Sequence, residues 1–327
     1  MNEIKLGIIG TNFVSDWLCE SVRISDGIEN YAVYSRTQEK GEEFAKKYGI
    51  VKVYTDLNEF FESDIDAVYI ASPNFLHYAH AKNAVLHGKH VLLEKPATLN
   101  SVQFAELDRL ARENGVILIE AMRPEHDPVI EAVRHEIAGI GAIRRAVFDF
   151  CQYSSRYDKF REGVILNAFD PSLGNGAVMD IGCYALHVCV MLFGKPKSVY
   201  ARSVKLSNGV EGMGTVFLDY GELQAEVVYS KITESCSPSA IIGEDGAVMI
   251  GKLSLVEYAS VQKRGDEVKY IARDRKENNM IYEIGNFVKM IRGEMTPEIC
   301  NANTLMTLEI MDEIRRQNNI EFPCEEL

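Results

Sequence analysis

The sequence predicts an α/β protein of two domains, a doubly wound parallel sheet at the N-terminus followed by an α/β domain built on an open, mostly antiparallel sheet. Three observations predict it. Through residue 120, short apolar runs alternate with helical stretches, a pattern that forces strands to lie parallel. At Arg123-Pro124-Glu125-His126-Asp127-Pro128 two prolines break the alternation, which divides the chain into domains 1–122 and 123–327. Beyond that point short strand-like runs are joined by turns, and only a few long helices remain. A chain of 327 residues is also too long for one ordinary core.

In chain order, Ile4 to Ile9 reads as a strand, and Gly10-Thr11-Asn12 as a tight turn into a helix over about Phe13–Ile24. Against the G-x-G-x-x-G pattern this turn reads Gly10-x-Asn12-x-x-Ser15, so by itself it fits either a dinucleotide turn or a plain βα turn. Gly10 can make the turn, Asn12 belongs to the few residue types that tolerate positive φ, and Ser15 is small enough for close helix packing. A pyrophosphate would sit on the amides of Asn12, Phe13 and Val14 at the positive helix end. Tyr31 to Tyr34 is a second strand, ending in Ser35-Arg36-Thr37 before a helix over Gln38–Tyr48. An acid at this strand end would hold the ribose diol of NAD, whereas an arginine accommodates a 2′-phosphate. Ser35 and Arg36 favour NADP over NAD, although Arg36 reads equally well as a surface charge at a helix start.

Val51 to Tyr54 and Ala67 to Ala71 continue the strands, with a short helix over Leu57–Glu62 between them. Ser72-Pro73-Asn74 leads into a helix over Phe75–His87, in which Asn74 is either a cap or a ligand and His77 either a packed histidine or a ligand. The run that starts at His90 stops at Glu94-Lys95-Pro96, where proline forbids further ladder bonding. Lys95 therefore stands at the carboxyl edge of the sheet, where open α/β sheets bind ligands. A cis Lys95-Pro96 bond would fix its direction; the plainer alternative is a solvated Glu94-Lys95 pair. A helix over Ser101–Asn114, a stop at Gly115 and a sixth strand, Val116 to Glu120, complete the domain.

The second domain opens with a helix over Val129–Ile137. Strands are expected at Ile143–Phe150, Ser198–Lys205, Gly212–Leu218, Leu223–Tyr229, Ser239–Ile242, Ala247–Ile250 and Ser254–Tyr258, and helices at Asn279–Ile291 and Asn303–Asn318. An open sheet with few helices to cover it points to pairing with another subunit. One helix, Ala177 to Phe193, is strongly apolar yet carries Asp180, Tyr184 and His187 at i, i+4 and i+7, one face. Burying such groups without partners is costly, so the face either lines a cleft or forms a hydrogen-bonded trio.

Composition narrows the function. Apolar residues make up 46% and charged residues 25% of the chain, and the net charge of -13 disfavours nucleic acid and anionic membranes as partners. No apolar run reaches the ~20 residues of a membrane span, and the start, MNEIKLGIIG, carries charges unlike those of a signal peptide. A cytoplasmic location is expected. Seven scattered cysteines without C-x-x-C spacing signal neither a disulfide framework nor a metal site.

Together the stretches GIIGTNFVS, SPNFLHYAHAKNAVLHGKHVLLEKP and GNGAVMDIGCYALHVCVMLFG resemble the glucose-fructose oxidoreductase, inositol dehydrogenase and rhizopine-catabolism (Gfo/Idh/MocA) family over nearly the whole chain. The resemblance implies an N-terminal Rossmann domain, a C-terminal α/β domain whose sheet makes a homodimer or homotetramer, and hydride transfer to or from NAD(P). It implies cofactor contacts at Gly10, Thr11, Asn12, Phe13, Val14, Ser35, Arg36, Ala71, Ser72, Pro73, Asn74, His77, Glu94, Lys95 and Arg123. Substrate contacts fall at Lys95, Asp180, Tyr184 and His187. The Asp180-x-Gly182-x-Tyr184 arrangement is similar to the dihydrodiol and xylose dehydrogenase branch; the inositol dehydrogenase branch has histidine where Tyr184 stands. Asn12 departs from the family's second glycine.

The implied activity is an NADP-preferring oxidoreductase, with NAD as the alternative cofactor, acting on a small sugar, polyol or alicyclic diol. Lys95 would stabilise the alkoxide and favour the tyrosinate of Tyr184, Tyr184 would exchange the proton, and Asp180 would orient Lys95 or the substrate. Arg156, Lys159, Arg161, Asn167 and Asp170, in the loop from Tyr153 to Pro171, are candidate hydroxyl contacts. The rival readings are a lyase or glycosidase that uses NAD for transient oxidation, and a non-catalytic dinucleotide-binding regulator, which would be expected to lack Lys95 and Tyr184.

Overall fold

The computed structural model describes residues 3–256, 258–271 and 278–326. The chain separates into two compact units, Met1–Met122 with Lys276–Ala302, and Arg123–Arg275 with Asn303–Leu327.

The first unit alternates strand and helix: β1 (Ile4–Ile9), α1 (Phe13–Val22), β2 (Ile28–Tyr34), α2 (Gln38–Tyr48), β3 (Lys52–Tyr54), α3 (Leu57–Glu62), β4 (Ala67–Ile70), α4 (Asn74–Leu86), β5 (His90–Glu94), α5 (Ser101–Glu113) and β6 (Leu118–Ala121). All six strands are parallel, in the order β3-β2-β1-β4-β5-β6, the doubly wound arrangement. The order reverses between β1 and β4, so the residues after these two strands meet at the carboxyl edge. Leu6, Ile8, Val68, Tyr69, Leu92 and Leu93 are wholly buried, as expected of strands covered by helices on both faces.

The second unit contains α6 (Arg123–His126), α7 (Pro128–Glu136), β7 (Ile143–Cys151), α8 (Tyr157–Arg161), a π-type turn (Val178–Gly182) running into α9 (Cys183–Phe193), then β8 (Ser198–Lys205), β9 (Glu211–Asp219), β10 (Gln224–Ser230), β11 (Ser239–Gly243), β12 (Gly246–Ile250), β13 (Ala259–Lys263) and β14 (Lys269–Ile271). Helix α10 (Met280–Ile291) belongs to the first unit; α11 (Glu298–Asn318) follows it. The eight strands run β14-β13-β12-β11-β7-β10-β9-β8, antiparallel throughout except for the parallel pair β7 and β10. Register aligns Ala201, Val216, Val227 and Phe148 in one buried row, on the face where α9 packs against β7 and β10. The alternate row, Tyr200, Phe217, Glu226 and Val147, lies on the opposite, open face. A one-residue slip would exchange the two rows, so burial specifies the register.

Four expectations need correction. The stretch from Ala177 is not one continuous α-helix, because Glu211 accepts the Val178 amide at 2.8 Å and the chain widens into the π-type turn before α9. Ser254–Tyr258 forms no strand among its described residues, Glu257 lying outside them; Leu253 and Val256 are apolar because they are packed, and the pairing is made by β13 and β14 instead. Helix α10, expected in the second domain, buries Met280, Ile284, Phe287 and Val288 in the core of the first unit with Leu18 and Val22. An amphipathic stripe says that a helix packs, not against which sheet. Helix α11 starts at Glu298 rather than Asn303, and the short α6 was not anticipated.

Gly182 is held by packing rather than by its dihedral angles, since its φ of -60° suits any residue. A Cβ there would stand 3.0 Å from the fully buried Tyr229 ring. Alanine would gain up to about 1 kcal/mol in helix propensity, against roughly 1–3 kcal/mol for overpacking. Gly182→Ala is therefore expected to lower the melting temperature by a few degrees, and calorimetry showing an unchanged or raised value would refute the packing argument.

Candidate active site

At the carboxyl edge of the first unit, β1 ends at Gly10, whose φ of +107° and Cβ position, 2.6 Å from Ala71 O, admit only glycine. Asn12 sits in extended backbone (φ -95°) and caps α1: Oδ1 accepts the amides of Val14 and Ser15 at 3.0 and 3.3 Å, and Nδ2 donates to Ala71 O at 3.0 Å. The positive φ considered for Asn12 is absent; its value lies in the side chain. The residue at the second glycine's place thus joins the end of β1 to the end of β4. Val14's amide is already bonded to Asn12, so the helix-end donors expected to face a pyrophosphate reduce to Asn12 and Phe13, with Thr11 ahead of them. Ser15 is wholly buried against the sheet, as its size predicted. A positive-φ glycine followed by the N-terminus of a ten-residue helix fits a dinucleotide phosphate.

Ser35 closes β2, its amide bonded to Tyr54 O at 3.0 Å; Arg36 is exposed, and no carboxylate occurs from Tyr34 to Gln38. After β4 come Ala71, Ser72 and Pro73, and Asn74 is the first residue of α4 rather than its cap. His77 is buried and does not point outward: Nδ1 lies 2.9 Å from Pro96 O and Nε2 2.8 Å from Ser72 O. It therefore stands between the segments that follow β4 and β5, facing a carbonyl of each. The Lys95-Pro96 bond is cis. Around it, Glu94 accepts Tyr69 Oη at 2.6 Å and the Lys95 amide at 3.1 Å, and the buried Glu120 accepts the Ala97 amide at 2.7 Å.

In the second unit, Asp180 lies in the π-type turn and Tyr184 in the first turn of α9. Lys231 Nζ bonds Asp180 Oδ2 at 2.7 Å. Arg123, expected at the cofactor, donates from Nη2 to Tyr184 Oη at 3.1 Å, a charge-assisted bond that stabilises negative charge on the phenolic oxygen. His187 departs from expectation. It is fully buried, with Nε2 2.6 Å from Glu125 Oε2 and Nδ1 3.3 Å from Thr307 Oγ1, so contact with a small molecule would require the core to open. Burial pushes the Glu125 carboxyl up, but His187 and Asn303 overcome this and hold it below the ordinary range. Of the loop candidates, Lys159 and Arg161 make local pairs with Glu162 and Asp158, and Asp170 caps the turn at Pro171–Leu173.

Sequence reasoning missed Lys231, Glu120 and Glu211. Glu211 is buried yet accepts Ser203 Oγ at 2.6 Å, Tyr229 Oη at 2.7 Å and the Val178 amide at 2.8 Å; burial raises its pKa. Lys231 carried a usable signal, a lysine directly after an apolar strand, the same context that marks Lys95.

An acid-free β2 end, a glycine turn into a helix and a lysine closing β5 define the class, an NAD(P)-dependent oxidoreductase with a Rossmann first unit. Family comparison agrees: residues 4–122 match the oxidoreductase family with an NAD-binding Rossmann fold, and residues 134–249 match the GFO/IDH/MocA C-terminal domain. The chain belongs to the Gfo/Idh/MocA family. It is 41% identical over 326 residues, 99% of both chains, to scyllo-inositol 2-dehydrogenase (NADP(+)) IolU of Bacillus subtilis. It is 29% identical to trans-1,2-dihydrobenzene-1,2-diol dehydrogenase of Xenopus laevis, over 98% of this chain and 99% of that one. The solved structure of KijD10, a 3-ketoreductase from Actinomadura kijaniata in complex with NADP and TDP-benzene, shares the fold with a TM-score of 0.86 at 21% identity, covering 97% of this chain and 98% of that one.

Burial pushes His80 and His126 down to about 4 and holds His77 and His90 below the ordinary 6.5. The His80, His90 and His126 rings are neutral when folded and take up protons on unfolding. Their contribution to stability is therefore present above pH 6.5 and lost as pH falls toward 4. At about 1.36 kcal/mol per pKa unit, His80 and His126 each account for roughly 3 kcal/mol of that loss. Urea unfolding at pH 7, 5.5 and 4.5 should show the decline, and a midpoint unchanged over this range would disprove it.

Proposed function

We propose that this protein is an NADP-preferring dehydrogenase of an alicyclic polyol of the scyllo-inositol type, oxidising one carbinol to a ketone and running in reverse as a reductase. The observation that carries the dehydrogenase chemistry, though not the choice of polyol, is Tyr184, whose hydroxyl is bonded by Arg123 and which shares a short stretch with the Lys231-bonded Asp180. The chain is similar throughout its length to an NADP-dependent scyllo-inositol dehydrogenase, which supports the same substrate class.

Gly10, Thr11, Asn12 and Phe13 would hold the cofactor's phosphates, Ser35 and Arg36 its 2′-phosphate, and Ala71 to Asn74 with Glu94 its ribose and nicotinamide side. The bound nicotinamide supplies the hydride acceptor. Tyr184 takes the proton from the substrate hydroxyl, and Arg123 stabilises the charge that forms on its oxygen. Lys95 stabilises negative charge on the carbinol oxygen as the carbonyl develops. Asp180 accepts hydrogen bonds from neighbouring ring hydroxyls and orients the ring.

The open face of the eight-stranded sheet exposes Tyr200, Phe217 and Val204, with the first two rings 6.5 Å apart. We assign it to a homodimer or homotetramer interface. Among the described residues no helix is long and apolar enough to cross a membrane. Our proposal places the protein in the cytoplasm, and its net charge of -13 disfavours nucleic acid as a partner.

Titration with NADPH and NADH, followed by nicotinamide fluorescence, is expected to give much tighter binding of NADPH. Arg36→Ala should weaken NADPH about 10–100-fold, the worth of a charged hydrogen bond, and leave NADH unchanged. Equal effects on both cofactors would remove Arg36 from the 2′-phosphate. Lys95→Met should reduce kcat for scyllo-inositol oxidation about 100–1,000-fold at nearly constant NADPH affinity; retained turnover would refute the role of Lys95.

A further inference from the structure

We propose that Lys231 is the positioning residue of the substrate side: its buried ammonium orients the Asp180 carboxylate and closes the loop 154–168 at both ends. The inference rests on the reading of Asp180 as a substrate contact.

Lys231 follows β10 and is only 2% exposed, a rare condition for lysine unless it is paired. Its Nζ donates to Asp180 Oδ2 at 2.7 Å and to Ala168 O at 2.8 Å, and lies 5.0 Å from the centre of the Phe169 ring. Its backbone is engaged as well, the amide donating to Gly212 O at 2.9 Å and the carbonyl accepting the Ser154 amide at 2.9 Å. One residue thus bonds the first and the last residue of the loop. Between them the chain forms α8 and packs Tyr157, Phe160 and Phe169 ring to ring, with centroids 5.4–6.1 Å apart. Asn175 and Asn208 hold the loop's far end through Asn167 O at 2.7 Å and Phe169 O at 2.8 Å.

The partners are unequally exposed, the side chain of Asp180 at 38% and that of Lys231 at 3%. Lys231 is therefore the buried partner and Asp180 the partly exposed one, held at the surface by an ammonium that cannot itself move into solvent. Glu211, by holding the Val178 amide, fixes the π-type turn from the other side. A carboxylate so anchored loses little freedom when it accepts hydroxyl donors, which is how preorganisation lowers the cost of binding. Asp180 and loop 154–168 cannot shift independently, because one ammonium satisfies both.

Four variants of the full chain test this: Lys231→Met, Lys231→Arg, Asp180→Asn and Asp180→Asn/Lys231→Met. Kinetics with scyllo-inositol and NADP, NADPH titration, and trypsin cleavage at Arg156, Lys159 and Arg161 read by mass spectrometry are the measurements. Lys231→Met is expected to raise KM about tenfold or more, the worth of a charge-assisted bond, with NADPH affinity unchanged and loop cleavage about tenfold faster. Lys231→Arg should recover most of both. In the double variant kcat/KM should fall no further than in Asp180→Asn alone, because Lys231 acts on substrate through Asp180. If Lys231→Met does not fold, the double variant carries the test, since it removes both charges together. Unchanged cleavage together with unchanged KM overturns the proposal, and so does an additive loss in the double variant. The cleavage arm needs no substrate: if the unmodified protein oxidises no polyol, the functional reading fails, while cleavage still decides whether Lys231 closes the loop.

Discussion

A peptide group at the end of a strand has lost its ladder partner, and if it is buried some other group must bond it. Both units meet this constraint in the same way, with polar side chains carried by neighbouring elements. In the first unit Asn12 takes Ala71 O, His77 takes the carbonyls of Ser72 and Pro96, Glu94 takes the Lys95 amide and Glu120 the Ala97 amide. In the second, Lys231 takes Ala168 O and Glu211 the Val178 amide. In each unit, residues proposed to touch cofactor or substrate stand on segments held by these bonds.

Four of these supports, His77, Glu120, Glu211 and Lys231, are titratable groups buried in the fold, which makes their removal asymmetric. Deleting one partner of a buried pair leaves an uncompensated charge, whereas deleting both is far milder. This applies to the buried Glu125 carboxylate on loss of His187 and to the buried Lys231 ammonium on loss of Asp180. His187, on the same helix as Tyr184, belongs to the core, a fully buried ring with both nitrogens engaged. His77 occupies a comparable position in the first unit.

The fold was largely legible in the sequence. Six apolar runs separated by helical stretches predict a parallel sheet because each strand covered on both faces must be apolar throughout, and β1 to β6 follow. The alternating runs of the second half predict the open sheet in the same manner. Where prediction failed, a local pattern had two tertiary explanations. Leu253 and Val256 look like part of a strand because packing demands apolar residues in a buried loop too. The stripe on α10 reads the same whichever sheet receives it. For the candidate site, the places of Gly10 and Lys95 at strand ends were legible because a positive-φ turn demands glycine and a proline ends strand pairing. Asn12 was legible as a departure but not in its mechanism, which is a cap bond and a bond to Ala71 reaching 59 residues along the chain.

By itself, then, the sequence determined the alternation of elements, the strand ends where ligands are bound, and the family, since these rest on patterns that are periodic or contiguous. Tertiary structure alone decided which groups the candidate polar residues bond and which of them are buried. His77, His187 and Arg123 were all candidate contacts, and their bonds to Ser72 and Pro96, to Glu125, and to Tyr184 could not be foreseen from the sequence. Lys231 entered the site only when folding brought it 2.7 Å from Asp180. The physical reason is that a side chain's chemistry depends on its partners and its access to water, and both are set by residues distant in sequence.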